Sequence, residues 1–283
     1  MTNKNECDLI IKPKNKWYQI DIGTIWRYRD LLMLLVRRDF VSVYKQTILG
    51  PLWFFIQPVI TSLTFTFIFS GIAKISTDGN PAILFYMAGI TLWTYFSDCL
   101  TKTSNTFIAN AGVFGKVYFP RLIVPLSVLA SNLIKFGIQF LIFCFVWIYY
   151  LANSNTLQVQ WQLLWLIPVL IFIMAGLGLG FGILISSLTT KYRDLTFLVG
   201  FGVQLLMYAS SVVLPVSTMS AKIKFLMLLN PLTSIIEAFK YVFLGSGFFD
   251  YIWLTYSFCF MLILIIISVL VFNKVEKSFM DTV

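Results

Sequence analysis

FGIQFLIFCFVWIYYLANSNTLQVQWQLLWLIPVLIFIMAGLGLGFGILISSLTT, residues Phe136–Thr190, runs for 55 positions without one charged side chain. A helix needs about 20 largely apolar residues to cross the roughly 30 Å of a bilayer's hydrocarbon core. This stretch therefore holds two crossings, and its polar interruption, Asn153-Ser154-Asn155 followed by Gln158, Gln160 and Gln162, marks where the chain turns between them. The same kind of block recurs on both sides. Gln46–Ala73 (28 residues), Gly79–Ser97 (19), Leu195–Ala221 (27) and Tyr251–Asn273 (23) are also free of charge.

These blocks predict six transmembrane helices at 51–73, 81–101, 122–151, 163–188, 195–216 and 251–273. No segment alternates polar and apolar residues at period 2, so a membrane barrel is excluded and the fold is all-α and polytopic. Composition agrees. Hydrophobic residues make up 59% of 283 positions and charged ones 12%, with a mean hydropathy of +0.85. A soluble domain carries about a quarter charged residues. Two units follow: residues 1–48, a cytoplasmic segment with an amphipathic interfacial helix, and residues 49–283, the six-helix membrane domain.

Basic residues orient the chain. With both termini in the cytoplasm, the inside segments hold 16 Lys or Arg and the outside segments 4, Lys240 among them; Lys135 lies within a span. Positive-rich loops stay inside, so this split sets the topology. The net charge of +9 is then positive-inside bias with some attraction to anionic lipid heads, and needs no nucleic acid. The first 48 residues contain no uninterrupted apolar core, so no cleavable signal peptide is read. Cys7, Cys99, Cys144 and Cys259 form no CxxC pair and read as small apolar residues.

Several chemistries are excluded. With no histidine in the chain, nucleophile–histidine pairs, HExxH zinc sites and histidine proton relays are impossible. No GxxxxGK[ST] phosphate loop exists; Gly112-Val113-Phe114-Gly115-Lys116-Val117 has the wrong spacing and lacks the magnesium-binding hydroxyl. The chain is therefore not an ATPase or other enzyme by itself. Gly176/Gly180 and Gly178/Gly182 are two overlapping GxxxG pairs inside a span, which predict close approach of neighbouring helices.

Residues 25–48 read as a helix lying on the membrane. Ile25, Leu32, Val36 and Val43 with Trp26, Met33, Phe40 and Tyr44 form one apolar face, opposite Arg27, Arg38, Ser42 and Lys45; Arg29, on the apolar side, has to snorkel. The helix serves either as an anchor or as a lever that a cytosolic partner presses. The loop Lys102–Arg121 is expected to contain a short separate helix, and its exposed aromatics at Tyr118 and Phe119 suit either a protein docking knob or an interfacial belt. Lys135 lies ten residues beyond Pro125, roughly 15 Å, so it snorkels to the headgroups or faces a pathway for a phosphate-bearing substrate. Asp98 is the other ionisable group near mid-membrane. Between the last two spans, Met219–Leu229 and Leu232–Leu244 are helix-like but short, with Asn230-Pro231 as the break. They predict re-entrant or interfacial helices, and Asn230 and Pro231 become candidates for contact with a translocation pathway.

In order along the chain stand Trp26-Arg27-Tyr28-Arg29-Asp30-Leu31-Leu32, Arg38-Asp39-Phe40, Tyr44-Lys45-Gln46-Thr47-Ile48-Leu49-Gly50-Pro51-Leu52-Trp53 and Gln57-Pro58. Lys116-Val117-Tyr118-Phe119-Pro120-Arg121, Tyr192-Arg193-Asp194-Leu195 and Asn230-Pro231-Leu232 follow. This ordered set resembles the membrane (permease) subunit of the type-2 ABC exporters that carry lipid-linked polysaccharides, O-antigens and teichoic acids out of bacteria. The resemblance implies a homodimer in the inner membrane beside two copies of a separate ATPase, with ATP and magnesium bound there and no cofactor on this chain. The implied substrate is an undecaprenyl-diphosphate-linked glycan. It further implies that Arg37, Arg38, Asp39 and Tyr44, together with Lys116, Tyr118, Phe119, Pro120 and Arg121 of the coupling loop, lie beside the ATPase. The alternatives are a drug or small-molecule ABC exporter, an ion-coupled secondary transporter, and a membrane scaffold.

Overall fold

A computed structural model describes residues 22–45, 50–114, 117, 119–154, 157–190, 192 and 194–279. The described residues form helices and connecting turns, with no strand among them. In order they are α1 (Ile22–Arg27), α2 (Arg29–Lys45), α3 (Trp53–Phe65), α4 (Ala82–Ser104), α5 (Thr106–Phe114), α6 (Ile123–Asn153), α7 (Leu166–Thr189), α8 (Leu195–Tyr208), α9 (Ala221–Leu228), α10 (Pro231–Leu244) and α11 (Tyr251–Phe279). A π-helical stretch, Thr66–Ile72, prolongs α3. Among the described residues five helices are long and apolar enough to cross a membrane: α3 with its extension, α4, α6, α7 and α11. The chain is an all-α polytopic membrane protein.

The centre of the bundle is α7, packed between α4 and α11. Its glycines explain why one helix can sit so close to two others. A Cβ on Gly178 would come 2.8 Å from Cys99 Cβ, and one on Gly182 would come 2.5 Å from Thr103 Cβ, both on α4. Gly176 and Gly180 face the other way, against Met261 and Leu264 of α11. The two overlapping GxxxG pairs thus serve two different neighbours, each bringing one backbone close.

The expected unbroken span at 195–216 is shorter than predicted. α8 stops at Tyr208, and its 14 residues rise only about 21 Å. Ala209 continues into turns, where the Val212 backbone lies 3.2 Å from the position a Cβ on Gly89 would take. Uncharged composition set the expected length; this close packing of backbone on α4 set the real one. α9 and α10 then form the predicted short pair, bent by 103° at Leu229-Asn230. Asn230 caps α10 by accepting the Leu232 N–H at 3.1 Å, Pro231 fills the first helical position, and left-handed Gly245 (φ 73°) ends the helix.

Two clusters hold the ends. At one end Phe107, Phe114, Phe119, Ile123, Ile183 and Phe272 are buried together, with Tyr28, Leu31, Leu32 and Leu35 packed over them. Lys102 and Arg121 also lie here, which makes this the basic end of the bundle. Because α2 and the last third of α11 meet in this one cluster, the beginning and end of the described chain lie on the same side. The far end carries the α9–α10 pair and an aromatic stack of Phe140, Phe143, Trp147, Phe239 and Phe243.

Candidate functional site

α4 and α6 run antiparallel, and their facing residues make a polar seam through an otherwise apolar bundle. Near the basic end Lys102 Nζ donates to Asn132 Oδ1 at 2.7 Å. One turn deeper Lys135 Nζ lies 2.6 Å from Asp98 Oδ2. One turn deeper again, Thr94 and Gln139 line an open cleft of about 150 Å³, whose other side is formed by Gln57, Pro58 and Thr61 of α3 and Met207 of α8. Thr94 is ten residues from the end of α4 at Ser104, roughly 15 Å, so the cavity sits near the middle of the helix. Gln139 is only 2% exposed, and its amide nitrogen has no hydrogen-bond partner.

Lys135 has a partner within the protein. Its ammonium is paired with Asp98, 5.8 Å from the centre of the Phe54 ring. Read alone on its helix, Lys135 either snorkels or faces a pathway. Tertiary packing supplies the counter-charge from another helix, 37 positions away.

At the basic end the residues of the 102–121 loop divide. α5 is the short helix expected within 102–121. Phe119 is not an exposed knob: it is 8% exposed, its ring 5.7 Å from Phe114, because the chain turns it back into the cluster beneath α2. Arg121 is buried too, with its guanidinium carbon 5.4 Å from the Phe114 ring centre. Pro120 is half-buried, and its carbonyl accepts the Ile123 N–H at 3.0 Å. Lys116 and Tyr118 lie outside the described residues, as do Lys191, Arg193 and the side chain of Tyr44.

The N-terminal helix also packs on the protein. Tyr28, Leu31, Leu32 and Leu35 turn inwards onto the protein, whereas Trp26 and Met33, assigned to the apolar face, are each 69% exposed. A helix packed on α6 needs only a narrow stripe for protein; its other apolar residues remain open on the outer side. Arg29 sits 5.8 Å above the Trp26 ring. Arg37 is exposed, and Arg38 donates from both Nε and Nη2 to Asp39 Oδ1 at 2.9 and 2.8 Å.

The far end contains a pair that the sequence reading missed by counting Lys240 as a loop charge. Lys240 and Glu237 are each 1% exposed, with Nζ 3.8 Å from Oε1. Lys240 also donates to the Ser211 carbonyl and lies 3.5 Å over the Phe85 ring, while Glu237 Oε2 accepts the Phe248 N–H at 3.0 Å. One pair thus ties α10 to α4, to the turn after α8 and to the loop before α11. The available signal was the spacing, opposite charges three residues apart inside an apolar helix. Asn230 and Pro231 sit at the bend of the same element. Asn230 donates to the Ala209 carbonyl at 3.0 Å, and the Pro231 carbonyl accepts the Ser257 hydroxyl at 3.0 Å. Their visible work is to hold the hairpin in place.

A polar seam, a sharply bent helix pair and a helix packed on the outside of the bundle thus stand together in one chain. Residues 30–244 match the family of ABC-2 type transporters. The chain belongs to that family. Within it, the chain is similar to two O-antigen export system permease proteins RfbA from Klebsiella pneumoniae. One is 28% and the other 27% identical over 257 residues, which covers 89% of this chain and 94% of each relative. An RfbA permease from Myxococcus xanthus is 25% identical over 225 residues, covering 78% of this chain and 83% of that protein. As an ABC-2 type transporter subunit, the chain is a component of transport. The matched region runs from α2 to the end of α10, so it contains the seam, the 102–121 loop and the hairpin.

Proposed function

We propose that this chain is the permease subunit of an ATP-driven exporter that moves a lipid-linked, O-antigen-like polysaccharide across the bacterial inner membrane. The observation that carries this reading is that all three relatives named above are O-antigen export permeases, and that two of them align with nearly nine-tenths of this chain.

The basic end faces the cytoplasm, in keeping with positive-inside bias, and both termini lie there. The chain then crosses six times, with α8 and the turns after it carrying it from the basic end to the far end. Two copies pair, and two copies of a separate ATPase sit beneath them with ATP and magnesium. The glycan travels on an undecaprenyl-diphosphate carrier. Phe107 stacks on Phe272 of α11 at 4.6 Å between ring centres, and Phe114 meets Phe119 in the same cluster. A push on α5 by the ATPase therefore reaches α11 and the α6 start through close-packed rings, which transmit displacement because they have no slack. Arg37, Arg38 and Asp39 lie on the outer side of α2, where the same ATPase can reach them.

The test is reconstitution. The purified chain alone should hydrolyse no ATP, and with its partner ATPase in proteoliposomes it should export glycan in an ATP-dependent manner. ATP turnover by the isolated chain at the rate of the complex, or no glycan movement by the complex, overturns the reading.

A further inference from the structure

We propose that the cleft between α3, α4, α6 and α8 is a binding site for one uncharged sugar ring of the glycan in transit, with Gln139 and Gln57 as its hydrogen-bonding residues. This rests on the proposed export function and adds to it a place and a chemistry.

Three observations converge. First, the cleft has room: about 150 Å³, an order of magnitude above the roughly 10–15 Å³ that one water needs. Second, its polar groups are all neutral. Gln57, Thr61, Thr94 and Gln139 supply amides and hydroxyls, which both donate and accept, as the hydroxyls of a sugar do. The nearest charges along the seam, Asp98 and Lys135, neutralise one another at 2.6 Å, so no net charge invites an ion. Third, Gln139 Nε2 is buried without a partner. Buried polar groups are satisfied in native proteins as a rule, and an orphan calls for an explanation. Gln139 lines the cleft with its Nε2 covered by protein, and rotation of the amide onto an entering sugar hydroxyl would give that donor its acceptor.

The walls fit the same ligand. Trp93, Ile90 and Met207 give the cleft apolar surface next to its amides. A sugar ring presents the matching pair of surfaces, C–H faces and a hydroxyl rim. Among the residues that line the cleft there is no cation to meet an anionic headgroup, and an acyl chain would leave the amides unpaired.

The experiment uses the complete complex of this chain with its ATPase in proteoliposomes, with Gln139→Leu as the first variant. Leu removes the orphan donor at similar size, so thermal stability in detergent should hold or rise. Export should nevertheless fall at least roughly fivefold, the factor that one lost hydrogen bond to substrate is worth. Thr94→Val, which keeps shape and removes a hydroxyl, should lower export in the same direction. Benzoylphenylalanine placed at Thr61 should crosslink to glycan only while ATP is supplied. Export at the wild-type rate by both variants, or crosslinking at Thr61 to lipid alone, overturns the site while leaving the export function standing. If the wild-type complex moves no glycan, the function and the site fall together.

Discussion

Lys135 Nζ sits 2.6 Å from Asp98 Oδ2 and joins α6 to α4 inside the membrane domain, with the two side chains 15% and 25% exposed. Each charge depends on the other more than on water. Removing one partner should therefore destabilise the chain by about 1–3 kcal/mol, less than a fully dry pair because both groups keep some access to solvent. Asp98→Asn and Lys135→Met should each lower the thermal unfolding temperature in detergent, and the double variant should recover much of the loss. Additive losses in that cycle would mean that Lys135 finds its partner in the lipid headgroups instead.

The glycines of α7 should behave differently from Gly137, Gly200 and Gly202. Gly178→Ala and Gly182→Ala put a methyl group within 2.8 and 2.5 Å of α4 side chains, so the helices must part; about 1–3 kcal/mol of destabilisation is expected for each. Gly137, Gly200 and Gly202 have nothing within 4 Å of an added Cβ. Alanine there should be neutral or stabilising by up to about 1 kcal/mol, since glycine is a poor helix former. Equal losses at both sets would contradict the close packing of α4 on α7.

Phe119→Ala should act through packing. The ring is buried against Phe114 in the basic-end cluster, so its removal should cost the isolated subunit about 3 kcal/mol before any ATPase is added. A variant that unfolds at the wild-type temperature alone, but separates from the ATPase, would restore the residue to an external docking role.

Thiol labelling tests the hairpin and the orientation together. In a chain whose native cysteines are replaced, Ser217→Cys should react with a membrane-impermeant reagent added outside, because Ser217 is exposed beside Asp78. Thr233→Cys should stay silent from both sides until the protein is denatured, since Thr233 is fully buried in α10. Labelling of the Ser217 variant from the cytoplasmic side alone would invert the topology.

Much of this protein was readable in its residues because a bilayer imposes constraints that act locally. Long uncharged runs, the polar break at Asn153–Asn155, the bend at Asn230-Pro231 and the glycines at 176–182 each have a meaning that depends only on neighbours in sequence. The tertiary structure decided how those pieces pair. Asp98 meets Lys135, and Thr94 shares a cavity with Gln139, only because α4 lies antiparallel to α6 in one register. Phe119 and Arg121 turn inwards because α2, α5 and α11 converge above them, and Lys240 is buried because Glu237, Ser211 and Phe85 surround it. Hydropathy measures each residue against lipid or water, whereas the energy of a buried charge or an orphaned amide depends on what another helix places beside it.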